Sequence, residues 1–482
     1  MKKSLKRNYI YNMLYQVLIL ITPLITTPYI ARRLGADGLG VYSYSEAIAS
    51  YFVLLATMGI NIYGQREISY AQNDRKIRTK AFWDIKAFTL VTSSIAFVLY
   101  LSLCLLKSDN RLISLLFLMN IANVLFDISW LYQGMEEFGI IALRNSIFRL
   151  ISIAFIFIFV KSRDDLAVYT LGLLLINLLS SLSLWLGHRK YVDKPVKADV
   201  QVFSRTRDII KLFIPTIAIQ VYLVLDKTMI GLITKSYYEN GYYDQAMKLA
   251  KMVLTIVTAS ATVIMPRIGY YFEIKDYKSI RALMDKSFRF VFFLGIPLCL
   301  GLIVTASQFV PWFYGPGYDK VSELLIVTSL LILVIGTNTI TGGVYMIATK
   351  QENKYTMTVV AGALINIVLN AILIRRFMSV GAAVASVAAE SSIMLIQLVM
   401  LRNEITIIPT IKQSWKYLVA GILMFLALLK VKTYLSSDIT GTILMVTSGA
   451  AIYFLVLLLL RDTFFLENAT NIAGRVRERI CR

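Results

Sequence analysis

Long apolar runs dominate the chain, in place of the short alternating segments that mark strands. Runs long enough to cross a hydrocarbon core of about 30 Å as helices begin at roughly 9–30, 39–62, 82–106, 112–133, 140–160, 166–187 and 208–233. A second set follows at roughly 241–266, 287–311, 323–346, 355–376, 380–401, 415–430 and 440–460, the thirteenth being the shortest. The pattern predicts an all-α membrane protein with about fourteen transmembrane helices; strands of a membrane barrel would be about half as long and would alternate.

Polar positions between the runs set the orientation. An even number of spans puts both termini on one side. That side carries Lys2, Lys3, Lys6 and Arg7, then Arg66, Arg75, Lys76, Arg78 and Lys80, then Arg189, Lys190, Lys194, Lys197, Arg205 and Arg207, then Arg267, Lys275, Lys278, Arg281, Lys286 and Arg289. The opposite connections hold few, such as Lys107 with Arg111, Lys161 with Arg163, Lys235, and Lys320. The positive-inside rule therefore predicts cytoplasmic termini. It also accounts for most of the +21 net charge, so the charge does not call for a nucleic-acid partner.

Composition agrees: 57% of residues are hydrophobic, 16% are charged and the mean hydropathy is +0.66. Cys104 and Cys299 lie inside apolar runs and Cys481 at the C-terminal end, so no disulfide framework or zinc-ligand spacing appears. No metal or cofactor is expected. The N-terminal run is too long for a signal peptide and has no clear cleavage site, so it reads as a retained first helix. The outward connections are too short to fold separately, which leaves no soluble catalytic module.

The longest cytoplasmic connections read as a charged linker at 188–207 and a surface amphipathic helix at 267–289. The linker divides the chain into an N-terminal lobe at 1–187 and a C-terminal lobe at 208–401, with 402–482 holding two further helices and a basic tail around Arg475, Arg477 and Arg479. An internal repeat supports the division: Gly40, Tyr42 and Arg66 recur at one offset as Gly241, Tyr243 and Arg267.

Ionisable residues within spans are costly and are functional candidates for that reason. On helix eight Lys248 and Lys251 lie three apart, with Asp244 one turn earlier on the same face, and Lys251 falls roughly 15 Å from the outer end. Arg149 on helix five lies at comparable depth, with Arg144 shallower. A deep cation in each half predicts a central cavity that attracts an anionic, phosphate-bearing group. The structural alternative pairs Lys248 with Asp244 and lets Arg144 snorkel to the interface.

Asp226 and Lys227, adjacent on helix seven, read equally as a gate or as a self-satisfied pair. Glu46, Asp127 and Glu390 are lone intramembrane acids that could carry protons or stay neutral and hydrogen-bonded. Asn8, Asn12 and Gln16 form a polar stripe on helix one, and Pro23, Pro28 and Pro215 predict breaks or kinks in helices one and seven.

The stretch Pro23-Leu-Ile-Thr-Thr-Pro-Tyr-Ile-Ala-Arg-Arg-Leu-Gly-Ala-Asp-Gly-Leu-Gly-Val-Tyr42, continuing through Tyr63-Gly-Gln-Arg-Glu-Ile68, resembles the polysaccharide biosynthesis, O-antigen repeat-unit flippase family. Leu225-Asp226-Lys227 with Gly231, Gly241-Tyr-Tyr-Asp-Gln-Ala246 with Lys248, and Met265-Pro-Arg267 extend the resemblance over the chain. It implies the multidrug/oligosaccharidyl-lipid/polysaccharide exporter superfamily, with two six-helix lobes around a central cavity. It further implies a bacterial inner-membrane flippase for undecaprenyl-pyrophosphate-linked glycan, working by alternating access among membrane lipids, beside a polysaccharide polymerase and a chain-length regulator.

Within that expectation Arg149 and Lys251 bind the headgroup, on grounds of burial and depth, and Arg144 and Lys248 assist. Arg32 and Arg33, at an outer helix end, are topological or gating residues. A drug exporter of the same superfamily is an alternative, although cationic drugs call for acids at the midplane, and a flippase for a lipid-linked peptidoglycan precursor is a closer one. A polymerase or ligase would need a sizeable catalytic outer loop, and the single histidine, His188, lies on the cytoplasmic side.

Overall fold

A computed structural model describes residues 5–107, 109–195, 200–405 and 408–468. Lys2, Lys3, Lys197, the 475–479 cluster and Cys481 lie outside the described residues, as do the side chains of Lys6, Arg7, Asn8, Asn12 and Pro215. The described residues are mostly helical, with short turns between helices and no strand among them. They form two compact units, Met1–Gly241 and Tyr242–Arg482.

The first unit opens with α1 (Leu5–Thr57) and α2 (Ile60–Tyr70), followed by α3 (Arg75–Lys107). Next come α4 (Arg111–Leu116), α5 (Leu118–Phe126) and α6 (Ser129–Gly134), then α7 (Phe138–Phe159), α8 (Leu166–Ser183) and α9 (Thr206–Thr234). α10 (Tyr237–Thr258) begins in the first unit and continues in the second. The second unit adds α11 (Ala261–Glu273), α12 (Tyr277–Tyr314), α13 (Asp319–Thr328), α14 (Leu330–Asn338) and a π-helical stretch at Thr339–Met346. α15 (Glu352–Met400), α16 (Ile408–Gln413), α17 (Trp415–Lys432) and α18 (Ile439–Leu459) complete it.

Among the described residues nine helical stretches are long and apolar enough to cross a membrane, ten when α10 and α11, bent by 42°, count as one broken span. Two of the nine, Tyr15–Tyr70 and Glu352–Met400, run 56 and 49 residues, over twice the roughly 20 needed for one crossing. The backbone leaves helical geometry inside them at Gly35 (φ 72, ψ 170) and Met378 (φ 53, ψ −130), so each holds two spans. With α9 and α17 these segments match the fourteen predicted spans. The chain is a multi-pass all-α membrane protein.

Three local expectations are corrected. Pro23 and Pro28 lie inside α1 without ending it, and the break falls at Gly35, whose positive φ suits a residue without Cβ. Around the prolines the hydroxyls of Thr22 and Thr26 donate to the carbonyls of Leu18 and Thr22. The connection at 267–289 is not a separate surface helix: it is the end of α11, a turn capped by Asp276, and the first turns of α12. Ile280, Met284 and Phe288 are buried there at helical spacing, which explains the amphipathic signal.

The fourth predicted span is three short helices. Its carbonyls at Leu125 and Phe126, orphaned by the break before α6, accept hydrogen bonds from the Lys86 ammonium and from Trp185 Nε1 (2.7 Å). Buried Ile60, Tyr63, Phe82, Trp130 and Tyr132 form one core of the first unit, and Ala49, Ala96, Tyr100, Phe117 and Ile121 another. Large apolar residues such as Leu106, Leu186 and Leu459 are exposed, as expected where lipid is the solvent.

The charged linker is held in place. Arg75 grips Asp193 through two nitrogens and Arg78 donates to the Tyr191 carbonyl at 2.7 Å. Arg205 reaches Glu67 (2.5 Å), Tyr63 (3.2 Å) and the buried Asp84 (3.5 Å). These arginines, counted in the sequence as topology signals, are also the clasps of the linker.

Candidate functional site: a cationic cavity in the first unit

A cavity of about 530 Å³ lies between α1, α5, α7 and α8. The α7 wall supplies Arg144, Asn145, Arg149 and Ser152, the α1 wall Tyr15, Thr22, Thr26, Tyr42 and Glu46, and the remaining amides are Asn120 on α5 and Asn177 on α8. Residues 145, 149, 152, 153 and 156 recur at helical spacing, so one face of α7 supplies most of that wall. The volume falls in the range of about 300–1,000 Å³ common to small-ligand sites.

The two arginines differ in partners. Arg144 donates from Nε and one terminal nitrogen to Asn145 Oδ1 (3.0 and 2.6 Å) and from the other to the Ser180 carbonyl (3.3 Å). It is thus pinned by neutral acceptors and keeps its charge uncompensated by direct contact. Arg149, half-buried in the same wall, makes no hydrogen bond or ion pair among the described residues. A guanidinium in that position is available to an anionic oxygen.

The acids of the first unit have other partners. Glu46 lines the cavity with Lys227 Nζ 3.7 Å from its carboxylate, so Lys227 reaches across to α1. Beside this pair the hydroxyls of Tyr51 and Thr228 lie 3.1 Å apart, and Asp226 interacts with Tyr51. Asp127, in the break between α5 and α6, accepts from the Ser129 backbone N–H (2.8 Å) and hydroxyl (3.1 Å), and it lies within electrostatic reach of both Lys86 and Arg144. Arg32 and Arg33 are exposed beside a separate cavity of about 380 Å³, with Arg33 over the Tyr29 ring at 5.4 Å.

In the second unit Lys248 pairs with the buried Asp244 at 2.5 Å, while Lys251 is exposed on α10. Glu390 accepts from Asn338 Nδ2 at both its carboxylate (2.7 Å) and its backbone carbonyl (3.0 Å). Close by in sequence, Thr341, Gln397 and Thr358 form a buried hydrogen-bonded chain that crosses from the π-helical stretch to α15.

Sequence reasoning missed the amides Asn120, Asn145 and Asn177 and the lysine Lys86. The amides carry no charge to mark them in an apolar run, and Lys86, only 6% exposed, lies near the start of the span predicted at 82–106, six residues past the basic cluster that ends at Lys80.

The repeat glycines show why the pattern recurs. A Cβ on Gly40 would lie 1.7 Å from the Tyr237 carbonyl oxygen, and one on Gly241 2.0 Å from the Ala36 oxygen. Ala36 and Tyr237 are related by the same offset as the glycines, so each glycine seats the turn before the other. This close approach closes the first unit.

Residues 5–272 match the family described as "Polysaccharide biosynthesis protein". The chain belongs to this family. Its relatives include the "Putative O-antigen transporter" of Escherichia coli (strain K12), 25% identical over 407 residues that cover 83% of this chain and 98% of the relative. Another is the "Probable low-salt glycan biosynthesis flippase Agl15" of Haloferax volcanii, 25% identical over 34% of each chain. Among solved structures the fold is similar to a lipid II flippase MurJ in an inward closed conformation, with a TM-score of 0.75, 17% identity and coverage of 93% of this chain and 99% of that one. An inward-facing multidrug resistance MATE transporter matches with a TM-score of 0.58, 13% identity and coverage of 81% and 97%. Family membership and fold thus agree with the resemblance carried by Pro23–Ile68.

Proposed function

We propose that this protein flips an undecaprenyl-pyrophosphate-linked oligosaccharide repeat unit from the cytoplasmic to the outer leaflet of a bacterial inner membrane, for O-antigen, capsule or another surface polysaccharide. The observation that carries the reading is the first unit's cavity, which offers two half-buried arginines, neither with a carboxylate in direct contact among the described residues. Arg149 engages a phosphate oxygen through its open guanidinium. Arg144, already oriented by Asn145 and Ser180, supplies a second positive charge. The amides and hydroxyls of the wall suit the sugars that follow the phosphate. The polyprenyl tail stays in the bilayer while the cavity is exposed to each face in turn, with both termini cytoplasmic. In the second unit Lys251 is the headgroup cation by its depth along α10, with Lys248, held by Asp244, assisting.

Relatives named as a transporter and a flippase of glycan pathways support the reading, and no chemical step is needed for it. A polymerase and a chain-length regulator would act on the delivered unit. Export of cationic drugs fits the cavity poorly, because Glu46, the acid among its described lining residues, has a lysine beside it. The test is a null strain complemented with this gene, scored for surface polysaccharide and for the leaflet in which the lipid-linked unit resides. Inner-leaflet accumulation relieved by complementation is expected. Normal export in the null strain, with no redundant flippase, would refute the reading.

A further inference from the structure

The geometry points to a second binding pocket, on the opposite face of the same helix, that takes a neutral sugar ring. Along α1, Tyr42 and Glu46 face the cationic cavity, whereas Tyr44, Ser45 and Ile48 line a separate cavity of about 420 Å³. Its other walls come from the end of α3, the turn at Asp109 and Asn110, and the stretch from Gly231 to Tyr237. Those connections lie on the face that the charge distribution assigns to the outside. The inference rests on the flippase reading for the identity of the sugar's carrier, and on the pocket alone for the sugar.

Three tyrosines set the chemistry. Tyr44 and Tyr237 meet edge to face with centroids 5.9 Å apart, and Asn110 lies within hydrogen-bonding reach of the Tyr237 hydroxyl. Tyr100 is 1% exposed, and apart from the Cys104 thiol beside it its hydroxyl has no hydrogen-bond partner among the described residues. Tyr100 backs the wall from within the packing, so the groups open to a guest are those of Tyr44, Tyr237, Asp109 and Asn110. The two charged lining residues, Asp109 and Lys235, are of opposite sign, so the lining as a whole selects neither anions nor cations.

Aromatic faces for C–H surfaces, with a carboxylate, an amide and hydroxyls for O–H groups, form a set suited to an uncharged polyhydroxylated ring. The position places this pocket after the cationic cavity in the direction of transport. Tyr44 is itself held in register: a Cβ on Gly231 would lie 2.3 Å from the Tyr44 ring, so that wall is built for close approach.

Saturation-transfer NMR on the full-length protein in nanodiscs, with methyl glycosides of glucose, galactose, N-acetylglucosamine and rhamnose as probes, tests the pocket. At least one glycoside should receive saturation at its ring protons. Tyr44→Ala and Asp109→Asn should each weaken its binding about tenfold, while Arg375→Gln, an exposed residue of the second unit, leaves it unchanged. Thermal unfolding of each variant separates a weakened pocket from an unfolded protein.

No transfer to any glycoside, or transfer undiminished in both folded pocket variants, would overturn the proposal. Should the null strain accumulate its lipid-linked unit while no glycoside binds the protein, the pocket falls and the flippase reading stands. Glycoside binding that disappears in both variants, in a protein whose null strain exports normally, would support the pocket and refute the flippase reading.

Discussion

Arg149 in the first unit and Lys248 in the second belong to the same class, cations within apolar spans, and their surroundings separate them. Arg149 faces a cavity with no acid in contact among the described residues, whereas Lys248 is held at 2.5 Å by a carboxylate that is itself buried. An intramembrane charge is a candidate only until its partner is known. Lys248 has little attraction left for a substrate, because Asp244 already offsets its field.

Neutralising each of the two cations in turn is the strongest way to break this comparison. Arg149→Gln should lower surface polysaccharide by about a hundredfold or more at unchanged protein level, since the interaction it removes is charge-assisted and desolvated. Lys248→Gln should lower it no more than about threefold, scored by the same complementation assay. Equal losses would show that direct pairing does not decide which cation works.

The close approach of the repeat glycines should be nearly as sensitive, but through the fold. Gly40→Val places side-chain carbon where the Tyr237 carbonyl lies, and Gly241→Val does the same against Ala36, so each should destabilise by about 2 kcal/mol or more. Melting of the detergent-solubilised protein would show it, and a wild-type melt for either variant would mean that the helices separate without cost.

Arg144→Lys sharpens the comparison within the cavity. It keeps the charge but loses the fork on Asn145, and transport should fall about tenfold, less than for the loss of Arg149. An unchanged rate would make Arg144 a point charge only.

The smallest effect compares a loop cap from each unit. The Asp165 carboxyl is held below its usual range by the backbone N–H groups of Lys161 and Ser162, and that of Asp276 by the Ser279 side chain and backbone. A depressed folded value adds stability that is present above the unfolded value of about 3.9 and lost as pH falls through the folded one. Melting of Asp165→Asn and Asp276→Asn should therefore lie slightly below wild type at neutral pH, and the gap should narrow as pH falls below about 4. A gap unchanged at pH 3 would assign both roles to packing.

Much of this could be read before any coordinates. The spans, the membrane class, the repeat and the family resemblance around Pro23–Ile68 follow from apolar run length, loop charge and a short motif, all local or periodic properties of the chain. The depth of Arg149 and the pairing open to Lys248 also follow from helical spacing. The prolines of α1 do not end the helix, which continues through both, and its backbone leaves helical geometry at Gly35 instead.

Other features depended on residues far apart in sequence. Asn145 orients Arg144 locally, but Ser180 joins it from α8; Lys227 meets Glu46 across 181 positions, and Arg205 clasps Glu67 and Asp84 across 138 and 121. A sequence specifies which residues can carry charge and which helix face they occupy, because those depend on covalent chemistry and a fixed rise per residue. Which charges are neutralised and which stay open depends on approach distances of a few ångströms between helices. Coulomb energy in a low-dielectric interior changes steeply over that range, so the packed tertiary structure decides that Lys227 meets Glu46 while Arg149 keeps no acid in contact among the described residues.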